Sequence, residues 1–214
     1  MKQHQGIWLP DHELHMIVWM NASGEIVDGR GTYQIKKLRA ALKHVKQFRT
    51  AVDVGAHVGF WSMHLAPRFR ELHAFEPVKA HRECFESNLT APNVALYACA
   101  LGNKEGGVTL DVPKGSSGGT HICGAGDIPL KRLDDFELPD VDFIKIDCEG
   151  YELAVLQGAV ETLQRCHPCI IVEQKQHVMA KNFGTSGTPA VDFLIALGAK
   201  QRAVLSGDHI LTWD

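Results

Sequence analysis

The chain has no extended basic run, no long apolar run and no second CxxC motif. Each absence excludes a class of function. With a net charge of −3 and acids and bases interspersed, a surface that tracks a nucleic-acid backbone is not expected. No uninterrupted apolar stretch approaches the roughly 20 residues that a bilayer span requires. The opening residues, "MKQHQGIWLPDHELHM", lack the apolar core of a secretory leader. A cytoplasmic protein is therefore expected, with neither a membrane nor a nucleic acid as partner. One CxxC, Cys166 to Cys169, supplies only half of a four-cysteine zinc site. It follows a helical pattern and precedes a strand, the reverse of a thioredoxin-type arrangement, so no redox role is assigned to it. No internal repeat and no linker divides the 214 residues, a length that suits one α/β domain.

What the chain does contain, from residue 36 onward, is alternation. Leu38, Ala41, Leu42, Val45 and Phe48 recur at helical spacing and predict an amphipathic helix over 36–48 with a solvated basic face. A phosphate- or acid-recognising surface is the competing reading of that face. "TAVDV" (Thr50 to Val54), "ELHAFEP" (Glu71 to Pro77) and "NVALYACAL" (Asn93 to Leu101) read as strands, with helices over 58–67 and 78–89 between them. "VDFIKID" (Val141 to Asp147) and "PCIIVE" (Pro168 to Glu173) read as further buried strands, followed by helices over 151–164 and 189–198. "KQRAVLSGDHILTW" reads as a closing hairpin that turns at "SGD". The pattern implies a single-domain, doubly wound, seven-stranded and mostly parallel sheet, Rossmann-like, with an antiparallel C-terminal strand.

Residues 1–34 read as an N-terminal cap or hairpin, with strands at "LHMIVWM" (Leu14 to Met20) and "EIVDG"; residues 35–214 form the main domain. Within it, 102–126 breaks the alternation with eight glycines in 25 residues. "GVTLDV" there reads as an extra strand and the rest as a mobile loop, either a plain connection or a substrate lid.

Four of the proposed strands end in or beside an acid: Asp53, Glu76, Asp147 and Glu173. Carboxylates are rarely buried without partners, and ligands of doubly wound sheets bind outside the carboxyl ends of the strands. Asp53 to Gly59, "DVGAHVG", joins a strand to a helix through Gly55 and Gly59. It lacks the second glycine that lets a pyrophosphate lie against a dinucleotide turn. Such a turn suits a nucleoside carrying an amino acid better than one carrying a pyrophosphate. Glu76, 21 residues beyond Gly55, can accept from both hydroxyls of a ribose, and Pro77 fixes the exit of its strand. His57 either lines a cofactor pocket or caps the helix.

The run "VDFIKIDCEGYELAVLQGA" (141–159), taken with "VDVGAHVG", "FEP", "ACALGNKEG" and "LDDF", closely resembles the FkbM-type family of S-adenosylmethionine-dependent methyltransferases. The resemblance spans roughly residues 50 to 175, and K-I-D-x-E-G-x-E (Lys145, Ile146, Asp147, Glu149, Gly150, Glu152) is its most specific part. It implies the seven-stranded class I methyltransferase fold, with S-adenosyl-L-methionine as cofactor. It implies that Asp53, Gly55, His57 and Gly59 hold the methionine part, and that Glu76 with Pro77 serves the ribose. Cys99, Ala100 and Leu101 would contact adenine, and Asp147 would lie near the cofactor's amino group or the transferring methyl.

O-methylation of a small molecule or sugar hydroxyl is the expected reaction. A base helps such a nucleophile, and Asp147, Glu173, His121 and His177 are the candidates. Glu149 and Glu152 are read as braces of the turn or the cofactor. A divalent ion between Asp147, Glu173 and a histidine is the alternative chemistry, but the spacing sets no ligand distances and no metal ligand is assigned. An NAD(P)-dependent oxidoreductase and a catalytically silent cofactor-binding module are the alternative functions. The acceptor pocket is expected from 1–34, 113–126 and 174–188. The chain is short for the family, so a homodimer is an expected way to complete the site.

Overall fold

The computed structural model describes residues 1–175, 182, 184 and 186–213. The chain opens with β1 (Lys2–His4), β2 (Ile7–Leu9), α1 (His15–Ser23), β3 (Ile26–Val27), β4 (Arg30–Gly31) and α2 (Ile35–Leu42). The alternating body follows: β5 (Thr50–Val54), α3 (Ser62–Leu65), β6 (Glu71–Phe75), α4 (Lys79–Asn88), β7 (Val94–Tyr97) and β8 (Ala100–Leu101). Next come β9 (Gly106–Asp111), β10 (His121–Ala125), β11 (Ile128–Lys131), β12 (Val141–Ile146), α5 (Glu152–Gln157), α6 (Val160–Cys166) and β13 (Cys169–Glu173). α7 (Pro189–Ala196), β14 (Lys200–Leu205) and β15 (Asp208–Thr212) close the chain.

The main sheet has seven strands in the order β14-β15-β13-β12-β5-β6-β7. β13, β12, β5, β6 and β7 run parallel, and β15 lies antiparallel to both of its neighbours. The central strands β5 and β13 are buried at every position, as expected for parallel strands covered on both faces. Winding proceeds outward from β5 through β6 and β7, then returns to β12 and continues the other way. The carboxyl ends of β5 and β12 therefore flank the topological switch point, where ligands of such sheets bind. One core cluster packs Val54, Ile146 and Val172 with α5, α6 and α7; a second joins Ala51 and Ile171 to α2 and to Ile7, Leu9, Met16 and Met20 of the N-terminal segment. No helix of the described residues is long and apolar enough to cross a membrane.

Several elements differ from their expected form; the strand expected over 93–101 divides into β7 of the main sheet and β8 of a second sheet, and the helix expected over 58–67 shortens to α3. The apolar run 14–20 is helix rather than strand: buried Glu13 accepts a hydrogen bond from the Met16 amide at 2.7 Å and fixes the first turn, and Met16 and Met20, four apart, face the core. α2 ends at Leu42 rather than 48, because Asp142 takes the Arg49 amide at 2.7 Å and its guanidinium, drawing the intervening residues out towards β5. The helix expected over 151–164 breaks into α5 and α6 at Gly158, where a Cβ would lie 1.9 Å from the Gly102 carbonyl oxygen. The segment expected as a mobile loop within 102–126 is ordered, because β10 pairs with β9 in a second sheet, β10-β9-β11-β8. Cys166 ends α6 and Cys169 begins β13, and neither forms a disulfide.

Candidate functional site

A cavity of about 330 Å³ opens at the carboxyl ends of β5, β6 and β12. Its floor is the turn after β5. Gly55 sits at φ 74°, and a Cβ there would lie 2.1 Å from the Asp147 carbonyl oxygen, so only glycine allows the two strand ends to close on each other. Beneath the turn, Lys145 Nζ donates to the Gly55 carbonyl at 2.7 Å and stands 3.4 Å from Asp53 Oδ1. Burial alone would lower the Lys145 ammonium; Asp53 and Asp147 outweigh it and raise it above its ordinary value. Asp53 is fully buried, accepts from the Ser62 hydroxyl at 2.7 Å, and does not reach the cavity wall. Gly59 does not reach the wall either; its open side faces the Phe85 ring of α4. These two motif residues thus support the floor from behind.

Glu76 and Pro77, after β6, form one end of the cavity. Glu76 Oε2 accepts from the His57 amide at 2.9 Å, and Oε1 accepts from the Val78 amide at 2.8 Å, with His81 Nδ1 at 3.2 Å. A carboxylate offers about four acceptor positions, so three partners leave room for a ligand hydroxyl. Cys99, Ala100 and Leu101, all buried, make the apolar side wall.

The roof comes from segments far apart in the chain. Glu13, 1% exposed, accepts from the Ser117 amide at 2.7 Å and from the Ser117 hydroxyl. That hydroxyl, having donated to a carboxylate, accepts from His57 Nε2 at 2.7 Å. The amides of Leu14 and His15 both donate to the Gly115 carbonyl. His57 therefore lines the cavity, from a left-handed backbone at φ 53°, and does not cap the helix, which begins at Ser62 without a side-chain cap. Burial, with His81 and Lys145 nearby, pushes its imidazole well below the ordinary range and keeps it neutral. His121 lies on the roof side of the wall, its Nδ1 donating to the Gly119 carbonyl at 3.1 Å.

At the opposite end from Glu76, carboxylate oxygens of Asp147, Glu149 and Glu173 lie within 4.8 Å of one another. Lys175 Nζ holds Glu173 Oε1 at 2.5 Å, and Glu149 stands at φ 52°. Burial and then Asp147 push the Glu149 carboxyl up to about 7; burial and Asp147 push Glu173 up as well, against the pull of Lys175. Tyr33 lines this end, its hydroxyl pushed up by burial and by Asp147 and Glu173, its ring packed between Trp19 and Phe60. Among the described residues no histidine joins the three acids. His177 lies outside the described residues. The structure thus brings Gly55, His57, Glu76, Pro77, Ala100, Leu101, His121, Asp147 and Glu173 to one cavity. Sequence reasoning assigned no role to Lys145 beyond the motif and none to Glu13, Tyr33, Ser117 or Lys175. Only Lys145, two residues before the acid-rich run that begins at Asp147, carried a local signal.

Comparison with solved structures finds this fold in several methyltransferases. The methyltransferase FkbM of Methylobacillus flagellatus KT is 17% identical with a TM-score of 0.50, the alignment covering 76% of this chain and 42% of that one. A putative rRNA methylase of Clostridium thermocellum is 10% identical with a TM-score of 0.53, covering 84% and 93%. The N-methyltransferase NodS of Bradyrhizobium japonicum WM9, in complex with S-adenosyl-l-homocysteine, is 11% identical with a TM-score of 0.51, covering 84% and 85%. The chain thus spans less than half the length of the Methylobacillus protein. No curated protein matches the sequence. Residues 53–202, more than half of the chain and all of the cavity floor, match the methyltransferase FkbM domain. The chain belongs to the FkbM methyltransferase domain family, whose members use S-adenosylmethionine.

Proposed function

We propose that this protein methylates a hydroxyl of a small molecule or sugar. One observation carries the reading: a single cavity joins a satisfied carboxylate with room for a ribose, at Glu76, to an acid cluster at Asp147, Glu149 and Glu173, across a glycine floor. The cavity fits the cofactor in kind. It has an apolar wall at Cys99 to Leu101 for a purine, and Gly55 leaves its floor open for an amino-acid tail. Its size is that of a small-ligand site. The cofactor supplies an electrophilic methyl on a positively charged sulfur. The chain's own residues align and exclude. Glu76 would hold the ribose, the Gly55 turn would receive the amino-acid tail, and the Glu13–Ser117–His57 roof would cover the bound cofactor.

The acids that line one end, together with the net charge of −3, support a small acceptor over a phosphate-rich nucleic acid. Calorimetry should find S-adenosylmethionine bound to the folded protein, and Glu76→Ala should weaken it strongly. The absence of binding by well-folded protein sinks the reading. NADH fluorescence titration tests the oxidoreductase alternative, and methyl-labelled cofactor presented with sugars, polyketides and peptides identifies the acceptor by mass.

A further inference from the structure

We infer that Glu149 is the catalytic proton acceptor of this site and that Glu152 is the residue that positions it. The inference rests on the methyl-transfer reading above. Glu152, 1% exposed, accepts through Oε1 from the Cys148 amide at 3.0 Å and the Gly150 amide at 2.9 Å, the peptides on either side of Glu149. The Glu149 carbonyl accepts from Asn182 Nδ2 at 2.9 Å. A non-glycine residue in the left-handed region needs such support, and it aims the Glu149 side chain into the cavity. Glu149 lines the cavity, and among the described residues no donor is within hydrogen-bond reach of its carboxylate. Of the other acids in the cluster, Glu173 is paired with Lys175.

The step balances. The acceptor oxygen forms its bond to the methyl carbon and gives its proton to Glu149. The electron pair of the broken carbon–sulfur bond goes to sulfur, leaving a neutral thioether. Before the step the site holds a cationic sulfur and an anionic Glu149; after it, both are neutral, so no net charge is created in the cavity. The surroundings of Glu149 suit this exchange. Its neighbours are the carboxyl groups of Asp147, Glu152 and Glu173, the ammonium groups of Lys175 and Lys145, and the Tyr33 hydroxyl. Burial and Asp147 push the Glu149 carboxyl up to about 7, so a nearby positive sulfur favours its ionised form before the step and loss of that charge favours the protonated form after it.

The test compares S-adenosylmethionine with S-adenosylhomocysteine, which lacks the positive charge, by calorimetry of the full chain across about pH 6 to about pH 8. The affinity ratio of the two should rise about threefold or more over that range in the native protein and stay flat in Glu149→Gln. Glu152→Gln, which keeps an accepting carbonyl for both amides, should retain the rise; Glu152→Ala should lose it. If Glu152→Ala does not fold, the Glu149→Gln comparison carries the test alone. If neither ligand binds folded protein, the methyl-transfer reading fails. If both bind with a ratio independent of pH, or if the rise survives in Glu149→Gln, that reading stands and the assignment of Glu149 is overturned. With an acceptor from the labelled screen, Glu149→Gln should lose about 10²–10⁴-fold in kcat and the acidic limb of its pH profile, and an unchanged kcat overturns the assignment.

Discussion

Both ends of the cavity are built on carboxylates, and their surroundings treat them oppositely. At Glu76, two backbone amides and an imidazole surround one buried acid, and like charges are absent from its contacts. At Glu149, three acids crowd within 4.8 Å, and lysines offset only part of the charge. Hydrogen bonds to the charged form stabilise it, whereas burial beside like charges disfavours it. The first arrangement holds its acceptor oxygens between fixed donors, suited to holding hydroxyls. The second makes a group that changes charge near neutrality, suited to moving a proton. One fold edge supports both because its acids leave from different strands, β6 and β12, on either side of the Gly55 turn.

The comparison is broken most strongly by removing what supports both ends. Lys145→Met leaves Asp53 buried and unpaired beneath the floor; the cost is about 3–5 kcal/mol, read as a fall in Tm on the order of 10 °C. At the Glu76 end, Glu76→Ala removes the acceptor of two amides, and the affinity for S-adenosylmethionine should fall about 30-fold or more in calorimetry.

At the other end the sign of the pH effect distinguishes the acids. Glu149 and Glu152 are pushed up to about 7 from 4.5, chiefly by burial, so the folded state holds their protons more tightly than the unfolded. The stability they contribute is complete below pH 4.5 and is lost as pH rises through 7. Buried His57, His64, His73 and His209 act in the opposite sense, but only up to their ordinary value of 6.5. The ligand-free protein should therefore lose on the order of 1–2 kcal/mol between about pH 6.5 and about pH 8.5, seen in urea midpoints, and Glu152→Gln should reduce the loss. A flat profile would show that the acid cluster is not strained by its own charge. The smallest effect belongs to the roof. Ser117→Ala should cost about 1 kcal/mol and speed release of S-adenosylhomocysteine in stopped-flow, leaving the two floor ends unchanged.

Legibility followed the range of the contacts. β5, β12 and β13 could be read because each is a short apolar run ending in or beside an acid, and Glu76 because its distance from Gly55 reflects one β-α-β unit. α1 could not, because Met16 to Met20 is apolar at every position, and only the fold shows Met16 and Met20 turned inward with Val18 66% exposed. The roof could not, because Glu13 and Ser117 are 104 residues apart and neither stands in a motif. Lys145 was visible only as a letter of the family run. Its work lies across the sheet, on Asp53 and the Gly55 carbonyl, and no local pattern reveals a partner on a neighbouring strand. The role of Glu149 needed the Glu152 contacts, which only the folded turn displays.

The ion pair under the floor also bears on how the chain reaches its native form. Asp53 and Lys145 are directly opposed where β5 lies against β12. Were the two strands to pair one residue out of step, Lys145 would turn to the opposite face, and Asp53 would be left charged in a dry interior. Apolar neighbours such as Val52 and Ile144 discriminate poorly between alignments, since both faces of the sheet are covered. A single lysine and a single aspartate thus act as an index mark for the two central strands, penalising misaligned intermediates during folding long before any ligand enters the cavity.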